Sequence, residues 1–294
     1  MAVIKDKSLG SVLFDAFILV FMSCVIFATL YPFYYIVIVS ISDGKAVMRG
    51  EINVLPKGIN FKTYKLVLKD PIILRSLANS VLYTVVGTII NLSFTSLCAY
   101  PLSRPRFSGR TFFTLVFTIT MFFAGGLIPL YLVVLRLGIM NSIWALVLPT
   151  AINTWYMFIM RTFYQGIPES LHESAIIDGA NEIVILWRII LPLAKPIMAT
   201  LLLFYAVGHW NDFFSALIYL DEKKKWPMTM ILRSILIIGR MGEATNETLE
   251  TDFAVVEKTI KYATVMVSTL PILMVYPFVQ KYFVKGVMIG AIKG

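Results

Sequence analysis

Long apolar runs separated by short polar stretches make up most of this 294-residue chain. A helix needs roughly 20 apolar residues to cross a bilayer, and only a helix or a closed barrel satisfies its own backbone groups in hydrocarbon. Six runs reach that length, at about 12–40, 77–101, 112–135, 142–164, 193–220 and 262–283. The pattern predicts an all-α, polytopic membrane protein with six transmembrane helices. Pro271 and Pro277 interrupt the last run, which packed membrane helices tolerate. Tyr31, Tyr34, Tyr35, Tyr131, Trp144 and Tyr219 sit near run ends, where aromatic belts belong. The polar connections are 43–76, 103–111, 136–141, 165–192 and 221–261.

Composition agrees with that reading. Hydrophobic residues make up 58% and charged residues 15%, well below the quarter typical of soluble domains. The hydrophobicity is spread along the whole length, so a single membrane domain over residues 1–294 is expected. The first run, Val12 to Ser42, is about twice the length of a signal-peptide core and no small-x-small site ends it. It reads as a retained first span. Cys24 and Cys98 both lie in apolar runs without C-x-x-C spacing and read as packed thiols, and two histidines, His172 and His209, offer no metal cluster.

Charge leaves the orientation open. With the N-terminus inside, 11 of the 26 basic residues are cytoplasmic and the other 15 lie outside, against the positive-inside rule. Density points the other way, because SRPRFSGR places three arginines, Arg104, Arg106 and Arg110, within eight residues.

One polar connection has a distinct internal pattern. In IPESLHESAIIDGANEIVILWRIILPLAKP, Pro168, Glu169 and Glu173 favour a helix start, and Asp178-Gly179 favours a helix-closing turn. Ile183, Leu186, Trp187 and Ile190 then fall at i, i+3, i+4 and i+7, one stripe of a second helix that Pro192 is expected to end. The prediction is helix, sharp turn, helix at the membrane interface. Such a segment either merely joins two spans or docks a partner, with small residues for close approach and carboxylates for anchoring.

Glu173-Ser174-Ala175, then Asp178-Gly179-Ala180, then Leu191-Pro192 and Pro196 resemble the EAA loop of ATP-binding-cassette importer permeases. Ser174 replaces the usual middle alanine and stays small. The segments WNDFFSALIYL, QKYFVKGVMIGAIKG and FFAGGLIPLYLVV resemble the carbohydrate-importer branch, second-permease type, and the likeness covers about residues 11–294. Within that branch it is similar to the lipoprotein-associated and alginate-importer subunits.

The resemblance implies a type I importer transmembrane domain in a bacterial inner membrane, multi-pass, with both termini cytoplasmic. It implies a cytoplasmic coupling loop at 165–192 and a cytoplasmic tail at 284–294, where Gly286, Gly290 and Gly294 accompany Lys285 and Lys293. Glu173, Ser174, Ala175, Asp178, Gly179 and Ala180 would dock an ATPase. Implied partners are a second permease in a heterodimer, two ATP-binding-cassette subunits, an extracytoplasmic solute-binding protein, the oligosaccharide and membrane lipid, with no nucleic acid. The chain has no P-loop, so it is no enzyme; ATP and Mg would be bound by the partner ATPase.

Polar groups inside spans are the candidates for the substrate path. Those are His209, Asn211 and Asp212 in the fifth run, and Asn153, Trp155 and Tyr156 in the fourth, supplying aromatic faces and amides for a sugar. Connection 43–76 carries seven basic residues against Asp43, Glu51 and Asp70, which tilts the expected cargo toward an acidic, alginate-like oligosaccharide over a neutral, maltose-like one. A secondary carrier would show internal repeats and coupling carboxylates; only Asp15 and Asp212 lie within predicted spans.

Overall fold

The computed structural model describes residues 9–245, 259–275 and 277. The tail at 284–294 lies outside those residues. Among the described residues the regular structure is helical: α1 (Leu9–Ser40), α2 (Gly44–Met48), α3 (Lys62–Val67), α4 (Pro71–Ser103), α5 (Arg110–Phe122), α6 (Leu127–Arg136), α7 (Ile143–Thr150), α8 (Thr154–Gln165), α9 (Glu169–Ile177), α10 (Glu182–Leu193), α11 (Lys195–Asn211), α12 (Phe214–Tyr219), α13 (Met228–Thr245) and α14 (Thr259–Val275). The chain divides into two compact units, Met1–Asp70 with Ile235–Val267, and Pro71–Ser234 with Ser268–Gly294.

In the first unit, α1 is apolar all round, and Phe14, Phe17, Leu19 and Phe27 on different faces are each more than 60% exposed. A helix with no polar face has lipid or protein as its solvent. Among the described residues its C-terminal end packs, with Ile38, Val39 and Ile52 forming a small core beside Tyr35 and Tyr262.

In the second unit, α4 packs against α8 and α11 around Ala99, Met157, Met160, Tyr164, Ile185, Ile190, Ala194 and Leu201. Its buried face includes Ser76, Ser80, Tyr83, Gly87, Asn91, Thr95 and Ala99, spaced three or four apart. Small residues at helical spacing let membrane helices approach closely. A second cluster, Val134, Ala145, Val147, Ala216, Tyr219 and Met230, closes the other end.

Two helices, α1 and α4, are long and apolar enough to cross a membrane unbroken, or up to five spans if each bent pair counts as one. Several of the six apolar runs are bent helix pairs and not single helices. The third run is α5 and α6 at 115°, the fourth α7 and α8 at 54°, and α10 meets α11 at 84° where the fifth begins. The fifth run itself stops at Asn211 and restarts as α12. Of the sixth, α14 is described to Val275. Gly and Pro account for two of the breaks: Gly125 and Gly126 separate α5 from α6, and Pro192 and Pro196 flank the α10–α11 corner.

Pro192 does not end α10. The helix widens to a π turn at Leu186–Ile190, in which Leu191 N–H donates to Leu186 O five residues back, and continues to Leu193. The expected stripe also divides: Leu186 and Ile190 are buried, whereas Ile183 and Trp187 are 69% and 61% exposed. Residues 183–187 are all apolar, so periodicity could not select the inward face.

Gly126 has φ 84° and ψ 174°, a region that residues with a Cβ essentially avoid. Gly126→Ala is expected to cost about 1–3 kcal/mol of stability. Gly125→Ala, where an added Cβ meets nothing within 4 Å and φ is not positive, should melt like the parent in detergent.

Candidate coupling loop and central cavity

A polar cavity of about 390 Å³ lies among α4, α8 and α11, lined by Asn91, Asn153, Tyr156, Tyr205, His209, Asn211 and Asp212 among others. Asn91 is 1% exposed; its Nδ2 donates to Thr150 O at 2.5 Å and its Oδ1 accepts from His209 Nε2 at 2.6 Å. Gly87, one turn before Asn91, makes room for the ring, since a Cβ there would stand 2.5 Å from His209 Nε2. Thr95 and Tyr205 share a 2.7 Å hydroxyl bond, and Tyr205 OH accepts from Asn153 N at 3.3 Å. Tyr156 lies edge-on to Tyr205 at 5.0 Å and against Phe204 at 5.5 Å.

Three of these residues also shape the backbone. Asn153 Oδ1 caps α8 by accepting from Tyr156 N at 3.2 Å. Asp212 Oδ1 accepts from Ser215 N in the first turn of α12 at 3.1 Å, while its own carbonyl accepts from Thr229 Oγ1 at 3.1 Å. Asn211 Nδ2 donates back to Val207 O at 2.9 Å. Each side chain keeps further hydrogen-bonding capacity beyond the single bond described. Among the lining residues, Asp212 is the one formal charge.

The polar interruption folds as α9, a turn and α10. Gly179 takes φ 83°, the left-handed conformation that closes a helix, and Asn181 Oδ1 caps α10 by accepting from Val184 N at 2.9 Å. Both helices are tied to the end of α4. Tyr100 OH donates to Glu182 Oε2 at 2.5 Å, and Arg104 Nη1 donates to Glu169 Oε2 at 3.0 Å. His172 lies between the two carboxylates, its Nε2 3.1 Å from Glu182 Oε2 and its Nδ1 3.6 Å from Glu169 Oε1. Arg104 is 7% exposed, with its guanidinium 4.9 Å from the Tyr100 ring centre. Burial pushes the Glu182 carboxyl up, but hydrogen bonds from Tyr100 and His172 and the nearby positive charge of Arg104 outweigh it and hold the group below its ordinary value.

The sequence profile of the binding-protein-dependent transport system inner membrane components matches residues 91–289, a stretch that contains the loop and most of the cavity. The chain belongs to that family. It is 43% identical over 281 residues to Protein LplC of Bacillus subtilis, covering 96% of this chain and 95% of the relative. It is 40% identical over 282 residues to the Bacillus subtilis polygalacturonan/rhamnogalacturonan transport system permease protein YtcP, covering 96% and 99%. Among solved structures, a chain of a bacterial ABC transporter involved in the import of the acidic polysaccharide alginate superposes with a TM-score of 0.86. Identity to that chain is 34%, with 94% of this chain and 99% of that one covered. The fold is that of a type I ABC permease, and an EAA motif belongs to that family.

Within this permease the six docking candidates divide. Glu173, Ser174, Asp178 and Gly179 are exposed, together with Ile177 at 85%. Ala175 is 6% exposed inside the chain's own core, and Ala180 packs against that core. Glu173 also pairs with Arg106 at 3.2 Å across a well-exposed contact.

Of the six cavity candidates, Asn153, Tyr156, His209, Asn211 and Asp212 converge, and Trp155, 57% exposed, is not among the lining residues. Sequence reasoning missed Asn91, Thr95 and Tyr205, and missed Tyr100, Arg104, His172 and Glu182 at the loop. A signal existed for the first group: small and polar residues recur at Ser76, Ser80, Gly87, Asn91 and Thr95 inside an otherwise apolar run. The second group needs contacts 65 and 82 residues apart in sequence, which no local pattern carries.

Gly87→Ala should drive the His209 ring off Asn91 and lower the melting temperature in detergent by an amount corresponding to about 1–3 kcal/mol, the usual cost of overpacking. Gly208→Ala, with nothing within 4 Å, should leave it unchanged. Because the folded pKa of Glu182 is depressed, its stabilising contribution is present above the ordinary 4.5 and is lost as pH falls below that value. Melting curves across acidic pH should therefore be flatter for Glu182→Gln than for the parent.

Proposed function

We propose that this permease forms half of the translocation path of an ATP-driven oligosaccharide importer in a bacterial inner membrane. It works there with a second permease, two ATPase subunits and an extracytoplasmic binding protein. The observation that carries the reading is the EAA motif of a binding-protein-dependent permease folded as a braced helix–turn–helix whose tip is exposed. Ile177, mostly exposed, and Glu173, Ser174 and Asp178 beside it combine an apolar contact with polar anchors. That mixture suits a protein partner: too charged for lipid, too apolar for permanent exposure to water. Ala175 and Ala180 brace the tip from beneath, and Gly179 permits the turn.

In this reading α1, α4, α5 with α6, α7 with α8, α11 and α14 make six spans, the loop at 165–192, which includes most of α10, and both termini face the cytoplasm, and nucleotide and Mg sit on the partner ATPase. ATP-driven closure of the ATPases moves the tip, because the ATPase makes different contacts with it in the two states. The cavity then opens alternately to each side.

The cargo reading is an oligosaccharide of acidic polysaccharide. It is supported by the alginate importer among the solved structures and by the polygalacturonan/rhamnogalacturonan permease among the relatives. The cavity fits sugar hydroxyls, with amides at Asn91, Asn153 and Asn211, phenols at Tyr156 and Tyr205, and an apolar ring face at Phe204. Attraction of the anionic groups falls to the basic connection at 43–76, where Asp43 caps α2 and Glu51 pairs with Lys57 at 3.2 Å and Arg49 at 3.8 Å.

Two reconstitutions test this. In proteoliposomes holding the whole complex, ATP hydrolysis should rise with alginate or galacturonan oligosaccharides and their binding protein, and respond little to malto-oligosaccharides. Glu173→Arg and Gly179→Val should each abolish stimulated hydrolysis and uptake while the two permeases still co-purify; normal stimulation in either variant would sink the docking assignment.

A further inference from the structure

The coupling loop sits in the chain between α8 and α11, so covalent connection alone would hand its movement to those two helices. The contacts say otherwise. Both helices of the loop, on either side of the Gly179 turn, are bonded to the end of α4, through Glu169 to Arg104 and through Glu182 to Tyr100. His172 of α9, through its Nε2 bond to Glu182 at 3.1 Å, ties α9 to α10 across the turn. Arg104 is buried and its Nη1 donates to the half-exposed Glu169 at 3.0 Å, a charge-assisted bond less open to water than the surface kind. The Arg106–Glu173 pair, 80% and 51% exposed on its two side chains, is of the weak surface kind.

From Tyr100 helix α4 runs back without a break through Ser96, bonded to Tyr164 of α8 at 2.8 Å, and Thr95, bonded to Tyr205 of α11. It reaches Asn91, bonded to His209, roughly 14 Å along the axis. An unbroken helix is stiff over that length, so displacement at Tyr100 arrives at the cavity wall as displacement of Asn91.

We propose that Tyr100 and Arg104 are positioning residues that deliver the stroke of the coupling loop to α4, making α4 the strut between the ATPase contact and the cavity. This rests on the importer reading above. Tyr100 and Arg104 touch neither cargo nor nucleotide in this account; they decide how much of each stroke reaches the cavity.

The decisive quantity is transport per ATP hydrolysed by the reconstituted complex. Uptake is followed with the oligosaccharide that most stimulates hydrolysis in the alginate, galacturonan and malto-oligosaccharide panel. Tyr100→Phe removes one hydroxyl and keeps the ring beneath Arg104. It should lower the uptake-to-hydrolysis ratio roughly ten-fold, the scale of one lost hydrogen bond to a charged group. Stimulated hydrolysis and the yield of assembled complex should stay within about two-fold of the parent. Glu182→Gln keeps an acceptor for Tyr100 and should retain most of the ratio, whereas Glu182→Ala should match Tyr100→Phe, and the pair combined should lose no more than either alone. An unchanged ratio in Tyr100→Phe, equal losses of uptake and hydrolysis, additive losses in the double variant, or failure of Tyr100→Phe to assemble would each overturn the proposal. A parent complex with no stimulated hydrolysis would instead remove the importer reading itself.

Discussion

The second unit of this protein is organised by one constraint: a polar group inside an apolar bundle must find its partner within the protein, since no water is there to supply one. Helix α4 concentrates that demand. Asn79 donates to Lys224 O and Trp226 O, Tyr83 to Lys225 O, and Asn91 to Thr150 O, while Thr95, Ser96 and Tyr100 reach Tyr205, Tyr164 and Glu182. Each bond fixes the height of a neighbour against α4, so together they set the register of α8, α10, α11 and the 221–227 turn. An apolar seam would hold those helices together but would let them slide.

That constraint also explains the broken helices. Where a run of apolar residues bends, backbone groups are released, and side chains supply the missing partners. Asn153 closes the start of α8 and Asp212 the start of α12, both beside the cavity. The residues that make the cavity polar are thus partly the residues that make its walls. At the far end, Glu222 plays a comparable part. Lys224 and Lys225 donate to it at 2.6 and 2.7 Å and hold its carboxyl at about 2, while Asn141, with its φ of 53°, donates from the α6–α7 connection.

The coupling loop combines the two themes. Its mixed composition reflects two faces: Ala175, Ile185 and Ile190 face the chain's own core, and Glu173, Ile177 and Asp178 face outward. Glu169, His172 and Glu182 look like surface charges when read along the chain. In three dimensions they form a half-exposed network tied by charge-assisted bonds to Tyr100 and Arg104.

Much of this was legible in the sequence. Apolar run length located the helices, because the cost of an unpaired peptide group in lipid leaves few alternatives. Pro168, Asp178-Gly179 and the residues after them marked a helix–turn–helix, because φ restrictions and capping are local properties. Polar residues stranded in apolar runs marked five of the residues now found around one cavity. Tertiary structure alone decided the rest. Bends of 54° to 115° depend on which side chains catch the freed backbone groups, and the inward face of α10 could not be read from five consecutive apolar residues. Which carboxylates of the loop are tied to α4 and its end depends on Tyr100 and Arg104, more than 60 residues away along the chain. Local chemistry wrote the elements, and long-range pairing of polar groups fixed how they meet.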